Sequence, residues 1–217
     1  MMIKSIMVLL FWCCRNNMKS QAVLSKNSLQ LGKRHLEVMD ELESMLDQGL
    51  SFSTMSDLAK QLKISLRTLY EIAPSKEELI VTTVDRVLKK HGKIAMDVMN
   101  AQSSPIRKLE SFLAVANQAV GPRLERFTQP LNNLNSSKQM VDYHEQYITT
   151  VIKNLLDEAR TNKEIRDIDT QATALLLGGL GRYFLSKKHL KGLKQTPEET
   201  SNFLTEIIID GIKMEKS

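Results

Sequence analysis

The chain of 217 residues has few glycines, prolines and aromatic residues, a net charge of +5, and almost no alternating apolar and polar runs. This composition predicts an all-α protein of one large or two small domains, and the basic excess is compatible with nucleic-acid binding without proving it. The two cysteines are adjacent and the four histidines are scattered singly, so we expect no disulfide, no metal site and no cofactor. Because a phosphate-binding loop and paired catalytic carboxylates are also missing, we expect no catalytic residues and no enzyme.

The N-terminal segment is first apolar and then basic. Residues 6–14 are nine apolar residues, too few for a membrane span, which needs about 20. We interpret residues 1–17 as an upstream reading-frame extension before a natural start at Met18, or as a disordered tail, and not as a targeting signal. A rival interpretation is a membrane-associated protein held by this segment. Six basic residues precede Glu37, the first acidic residue, and they form either a phosphate-binding arm or a solvated tail. They are Lys4, Arg15, Lys19, Lys26, Lys33 and Arg34.

A short helix is predicted to begin at Thr54. The Thr54 hydroxyl suits an N-cap, and Asp57 in the first turn suits the positive end of a helix. The apolar residues at three-to-four spacing are Leu58, Ala59 and Leu62. Lys63 and Ile64 then form a tight turn.

A second short helix follows, with Ser65 as its N-cap and Pro74 ending it. Its buried side contains Leu66 or Leu69, together with Ile72. Its outward side chains are Arg67, Thr68 and Tyr70. Two short helices around a tight turn are typical of a DNA-binding helix-turn-helix, although any helical hairpin has similar caps and spacing.

A third helix is predicted to begin at a capping box formed by Ser75 and Glu78. Its apolar stripe continues from Ile80 to Val98, so this helix is long enough to connect the helix-turn-helix with the segment that follows.

Residues 36–88 resemble the DNA-binding domain of the TetR family of bacterial transcriptional regulators. The matching features are Gly49 at a helix end, Thr54, Leu58-Ala59, Thr68-Leu69-Tyr70 and the segment Pro74-Ser75-Lys76-Glu77-Glu78-Leu79. The sequence departs from the family at Lys63, where glycine is usual, at Ile72, where an aromatic residue is usual, and at Ala73, where phenylalanine is usual. Lys63 would need a positive φ to keep the family's turn. The resemblance implies that one phosphate contact is lost at Ile72.

The resemblance also implies a set of DNA contacts. Thr68 and Tyr70 correspond to base or phosphate contacts and Lys76 to a phosphate contact, and we add Thr54 to this DNA-binding set. Arg67 is our own addition, because an outward arginine in the first turn can bind guanine through two hydrogen bonds. Glu71 opposes DNA binding, because its carboxylate repels phosphate unless it accepts from a cytosine.

The middle of the chain predicts two more helices. One begins at Pro105 and turns Ile106, Leu109, Phe112, Leu113 and Ala116 inward. The other runs from residue 138 to about residue 160 with an apolar stripe that includes polar-tipped aromatic side chains. In the family that this chain resembles, the C-terminal helices hold an inducer. The predicted pocket residues are therefore Phe112, His144, Tyr147 and Tyr183, with core packing as the alternative.

The last two predicted helices have the composition of a subunit interface. Residues 174–184 are nearly continuously apolar, and Gly178, Gly179 and Gly181 favour the close approach of another helix. A final helix begins at Thr196 and carries Phe203 and Ile207. Residues 164–181 also resemble the family's C-terminal domain, in which two helices from each subunit form a four-helix dimer interface. A monomeric core is the alternative.

The sequence therefore predicts an extension over residues 1–26, a helix-turn-helix DNA-binding domain over 27–80, and a helical ligand-binding and dimerisation domain over 81–217. The predicted function is a cytoplasmic, homodimeric regulator that binds a pseudo-palindromic double-stranded DNA operator. We expect a repressor that is released by an unknown small-molecule inducer and has no membrane partner. The alternative is a helical ligand- or partner-binding dimer whose DNA-binding element is degenerate.

Overall fold

The computed structural model describes residues 32–48, 54–118, 134–184 and 192–214, without the side chain of residue 182. The described helices, numbered here in chain order, are α1 (Lys33–Asp47), α2 (Met55–Gln61), α3 (Leu66–Ile72), α4 (Lys76–Asn100), α5 (Pro105–Gln118), α6 (Asn135–Thr161), α7 (Thr170–Phe184) and α8 (Pro197–Ile212). The predicted all-α fold class is confirmed. Most of the predicted basic arm and the proposed start at Met18 lie outside the described residues.

The chain forms two compact units that divide between Thr82 and Thr83, within α4. The first unit contains α1, α2, α3 and the start of α4, and the second contains the rest. No helix among the described residues combines the length and apolarity needed to cross a membrane.

Helix ends in the first unit are set by neighbouring side chains. The backbone N–H of Asp57 donates to the Thr54 hydroxyl (3.1 Å), and that of Thr68 donates to the Ser65 hydroxyl (3.1 Å). The N–H of Glu78 likewise donates to the Ser75 hydroxyl (3.1 Å). The three predicted N-caps are confirmed, and α3 ends before Pro74 as predicted.

The core of the first unit is a small apolar cluster. Its members are Val38, Met39, Leu42, Met55, Leu58, Ala59, Leu62, Leu69, Ile72, Ala73 and Leu79. Each short helix therefore contributes one apolar face, and burial of these faces stabilises helices that are too short to be stable alone.

The second unit is built around α6, which packs against α5 and α7, while α8 packs against α5 and α7. The predicted inward residues of α5 line this core, with Ala116 partly buried. The stripe predicted along α4 is less continuous than expected, because Ile94 and Val98 are exposed.

The start of α5 is capped from a distant part of the chain. Backbone pairing between Ile165 and Lys213 holds the segment after α6 against the end of α8. There the Glu164 carboxylate accepts hydrogen bonds from the Ser104 hydroxyl (2.6 Å) and the Ile106 N–H (3.0 Å). A carboxylate is favoured at this positive helix end.

Candidate nucleic-acid interface

The turn between α2 and α3 keeps a helix-turn-helix geometry without a glycine. Lys63 has a φ of 51°, so the positive φ considered from the sequence is confirmed. The Lys63 N–H donates to the Lys60 carbonyl (3.2 Å) and the Ile64 N–H donates to the Ala59 carbonyl (3.0 Å). These two bonds are those of a Schellman motif, which usually has glycine at the position of Lys63.

The two faces of α3 are clearly divided. Leu69 and Ile72 are buried, whereas Leu66 is exposed, so Leu69 is the residue that anchors this helix. Ile72 belongs to the apolar core, so its side chain is directed inward. This is the position at which the resemblance implied that a phosphate contact is lost.

The outer face of α3 presents the side chains predicted to contact DNA. The Arg67 side chain is 88% exposed. Tyr70 is 52% exposed, and its hydroxyl makes no hydrogen bond to the described residues. Thr68 is half-buried, with its hydroxyl 2.8 Å from that of Ser65. Two large donor side chains are therefore displayed on one short helix.

Thr54 and Lys76 lie at helix starts and have partners within the protein. The Thr54 hydroxyl accepts from the Asp57 N–H and donates to the Asp57 carboxylate (2.8 Å). The Lys76 ammonium lies 3.8 Å from the Glu77 carboxylate and is partly exposed. The threonine hydroxyl is thus occupied by capping, and the lysine ammonium is close to an acidic neighbour.

A polar cluster that the sequence did not predict joins α1 to α3. The His35 ring nitrogen Nε2 and the Arg67 Nε both lie 3.0 Å from oxygens of Glu71. The hydrogen bond with His35 and, to a smaller extent, that with Arg67 hold the pKa of the Glu71 carboxyl below its usual value. The spacing of Arg67 and Glu71 signals their pairing on a helix. His35 lies 36 positions away and gives no such signal.

The four predicted pocket residues have different surroundings in the second unit. Phe112 is buried in the core, and Tyr147 packs against that same core. Tyr183 is 54% exposed. A depression of about 400 Å³ beside Arg160 and Met214 is lined by none of the four.

His144 has a partner that sets it apart from the other three residues. Its Nε2 lies 2.9 Å from Asp85, whose other oxygen lies 2.6 Å from the Lys89 ammonium. Burial acts to raise the pKa of Asp85, but His144 and Lys89 together lower it below its usual value. This cluster joins α4 to α6 within the second unit.

An apolar surface on α7 and α8 remains uncovered in the single chain. Its large exposed side chains are Leu175, Leu176, Tyr183, Phe203 and Ile207. On α7, a Cβ placed on Gly178 would lie 2.3 Å from the Thr149 hydroxyl oxygen, whereas one on Gly179 would meet nothing within 4 Å. The lack of a side chain at Gly178 thus lets α6 of the same chain pack closely against α7, whereas Gly179 faces open space beside the apolar surface.

No protein-family model matches the chain. Over 177 residues the chain is 24% identical to YvaF, an uncharacterized HTH-type transcriptional regulator of Bacillus subtilis (strain 168); the match covers 76% of this chain and 87% of YvaF.

Similar solved structures cover most of the chain. A TetR/AcrR-family transcriptional regulator from Thermobifida fusca YX-ER1 has a TM-score of 0.66 at 15% identity, with 83% of this chain and 98% of that chain covered. FadR from Bacillus subtilis, solved in complex with stearoyl-CoA, has a TM-score of 0.62 at 15% identity, with coverage of 82% and 98%. This chain therefore has the fold of the TetR-family transcriptional regulators, as the sequence predicted.

Proposed function

We propose that this chain, with its TetR-like fold, is a cytoplasmic, DNA-binding transcriptional regulator that acts as a homodimer. The observation that carries the proposal is the pair α2 and α3, joined by an intact Schellman turn and presenting Arg67 and Tyr70 outward from a packed core. In a helix-turn-helix protein the second of these helices enters the major groove. The regulatory activity requires no catalytic residue.

Each predicted DNA contact has a distinct role in this proposal. Arg67 binds guanine through two hydrogen bonds, which is the most common specific contact of arginine in the major groove. Thr68 and Tyr70 contact bases or phosphates, and Lys76 contacts a phosphate at the start of α4. Thr54 contributes to the DNA-binding surface through its position at the start of α2, because its hydroxyl is already engaged in capping that helix.

The charge distribution supports a contribution of the basic arm to the affinity for DNA. Between residues 32 and 82 the sequence has six basic and nine acidic residues, so this part of the first unit carries an acidic excess. Lys4, Arg15, Lys19 and Lys26 precede it without any acidic residue. Phosphate binding depends on basic residues, so we propose that this arm contributes phosphate contacts.

The homodimer is proposed from the apolar surface on α7 and α8. Contiguous exposed apolar surface on a protein marks an interaction site, and most homodimers bury the same patch of both subunits about a twofold axis. A glutamate in place of Leu176 would place a charge in this interface and should dissociate the dimer in sedimentation experiments. The same substitution at the exposed Gln171 of α7 is the control and should leave the dimer intact.

The regulatory ligand is proposed to be a small molecule that binds the second unit and releases a repressor from DNA. Such a ligand acts only if its affinities for the DNA-binding and released states differ. Phe112, His144, Tyr147 and Tyr183 remain the proposed contacts. Because FadR was solved with stearoyl-CoA, this compound is the first probe: release of DNA by stearoyl-CoA in wild type and not in Tyr147→Ala would support an acyl-CoA ligand.

DNA binding by the full chain is the direct test of the proposed function. The protein is titrated at several salt concentrations against DNA from upstream of its own gene and against a pool of genomic fragments. We expect selective binding that weakens steeply with salt. Lys76→Ala should weaken binding to all sequences and reduce the salt slope by about 1, whereas Arg67→Ala should relax specificity at one base pair.

Arg166→Ala removes an exposed arginine of the second unit and serves as the control, with binding unchanged. If wild-type protein selects no fragment, the alternative of a partner- or ligand-binding dimer is the better account. That alternative is favoured by the residues Ile72 and Ala73 and by the acidic excess of residues 32–82.

A further inference from the structure

Glu71 lies on the outer part of the recognition helix α3, where a carboxylate should weaken DNA binding. Its two oxygens are nevertheless held by two different helices. Oε1 accepts from Arg67 Nε at 3.0 Å, within α3, and Oε2 lies 3.0 Å from His35 Nε2, on α1. The carboxylate is therefore fixed in place by contacts on both sides.

The hydrogen bonds of His35 determine which of its nitrogens carries a proton. The backbone N–H of Gly32 donates to His35 Nδ1 at 3.2 Å, so Nδ1 is an acceptor. In a neutral imidazole the other nitrogen is then the donor, so Nε2–H donates to Glu71. The cluster thus contains one positive charge, on Arg67, and one negative charge, on Glu71.

The contact with Glu71 uses only one part of the Arg67 guanidinium. Nε donates to Glu71, whereas the two terminal nitrogens make no hydrogen bond to any described residue. Guanine offers two acceptors, O6 and N7, on its major-groove edge, and arginine recognises them with two N–H groups. The terminal nitrogens of Arg67 supply this pair while Nε stays on Glu71.

From this arrangement we infer that Glu71 is a positioning residue that holds Arg67 in the orientation that reads guanine, with His35 supporting it from α1. The inference rests on the proposed DNA-binding function. Fixing a flexible arginine before binding lowers the entropy cost of the specific contact. At the same time the Glu71 charge offsets that of Arg67, which weakens binding to DNA of any sequence. Glu71 therefore favours specificity at the expense of general affinity.

The test is whether Glu71→Gln changes specificity and general affinity for DNA in opposite directions. DNA sites are first selected from a randomised pool by wild-type protein, and Arg67→Ala identifies the guanine whose preference depends on Arg67. In Glu71→Gln, discrimination at that guanine should fall about 3- to 10-fold, a fraction of the roughly 5- to 150-fold that a whole bidentate contact supplies. Affinity for random-sequence DNA should rise, because a negative charge near phosphates has been removed.

Glu37→Gln is the matched control. Glu37 pairs with Arg34 at 3.3 Å on an exposed face of α1, so this substitution removes the same charge from another arginine pair of the first unit. The guanine preference should stay unchanged. His35→Ala should lower the preference in the same direction as Glu71→Gln, whereas His35→Gln, which keeps an N–H donor, should retain it. Thermal unfolding checks that each variant is folded.

The outcomes separate the inference from the proposed function. If wild type selects DNA and Glu71→Gln keeps its guanine preference, the positioning role is wrong and the regulator proposal stands. If general affinity and guanine preference fall together, Glu71 is a direct DNA contact or a structural residue, and the inference is also overturned. If wild type selects no DNA, the proposed function fails and the inference fails with it.

Discussion

The two units of this chain differ in the distance along the sequence between the residues whose interactions hold their helices in place. In the first unit, Thr54, Ser65 and Ser75 each cap a helix through a backbone N–H three residues away. In the second unit, Glu164 caps α5 from 58 positions away, and the buried Asn117 amide donates to the Thr205 hydroxyl 88 positions away. The caps of the helix-turn-helix are therefore local, whereas the larger unit adds to its local caps, such as that of α8 at Thr196, contacts that form only after it packs.

The two units also differ in what they expose. The first presents a polar helix face over a small closed core, and the second leaves large apolar side chains of α7 and α8 uncovered. A polar face suits a partner that is bound reversibly through charge, whereas an apolar face suits a subunit interface. The same chain thus separates its proposed recognition and association surfaces.

The largest effect is expected where two helices of the second unit meet. A Cβ on Gly178 would lie 2.3 Å from the Thr149 hydroxyl oxygen and 3.3 Å from the Thr149 Cα, so Gly178→Ala forces α6 and α7 to shift. We expect the free energy of unfolding to fall by about 2 kcal/mol, as for other overpacked sites. Denaturant unfolding at a fixed protein concentration measures it.

Gly92→Ala is the control for this prediction, because a Cβ on Gly92 in α4 would meet nothing within 4 Å. Alanine favours a helix over glycine, so Gly92→Ala should stabilise the protein by up to about 1 kcal/mol. Equal effects of the two substitutions would show that α7 does not depend on close approach at Gly178.

The distant cap of α5 should be more costly to remove than a local one. Glu164→Ala leaves the Ile106 N–H without its charged acceptor, and we expect a loss of about 2 kcal/mol in unfolding free energy. Ser65→Ala, which removes the local cap of α3, should cost about 1 kcal/mol. Asp97→Ala, at an exposed position of α4, should change stability by less than about 0.5 kcal/mol. A larger loss for Ser65→Ala than for Glu164→Ala would contradict the comparison.

A pH dependence is expected from the Asp85 cluster. His144 and Lys89 lower the pKa of Asp85 in the folded protein below its unfolded value of about 3.9. The stability that the ionised Asp85 contributes is therefore complete above the unfolded pKa, and it is lost as the pH falls through the lower folded pKa. At pH 7 the free energy of unfolding of wild type should be about 1 kcal/mol larger than that of Asp85→Asn, because a partly exposed hydrogen bond to a charged group contributes about this much. This difference should shrink below about pH 4. A difference that stays constant down to pH 2 would refute the assignment.

The smallest effect should be a gain in stability at a local turn. Lys63 and Lys163 have φ values of 51° and 57°, in the left-handed region, and each follows the cap of a helix. Glycine should relieve this strain, so each Lys→Gly substitution should stabilise its own unit by about 0.5 kcal/mol. Lys60→Gly, within α2, should instead destabilise by about 1 kcal/mol. Thermal unfolding of the three variants distinguishes a strained turn from a general effect of glycine.

Several features of the site were predictable because their chemistry is local. The Thr54 and Ser65 caps, the end of α3 before Pro74 and the outward direction of Arg67 follow from side-chain types at fixed spacing. The choice between Leu66 and Leu69 was not predictable, because both fit an apolar face until α1 and α2 are in place. The link from His35 to Glu71 was likewise hidden, since nothing in the sequence brings these positions together.

The sequence by itself determined where most helices begin and where α3 ends, and its resemblance over residues 36–88 predicted that α2 and α3 form a helix-turn-helix. These features depend on hydrogen bonds and φ preferences that act within a few residues. Only the tertiary structure decided that Gly178 admits α6 while Gly179 faces outward, that Glu164 caps α5, and that His35 contacts Glu71. Each of these outcomes depends on which helix faces lie together, and many pairings of apolar faces satisfy the same local pattern.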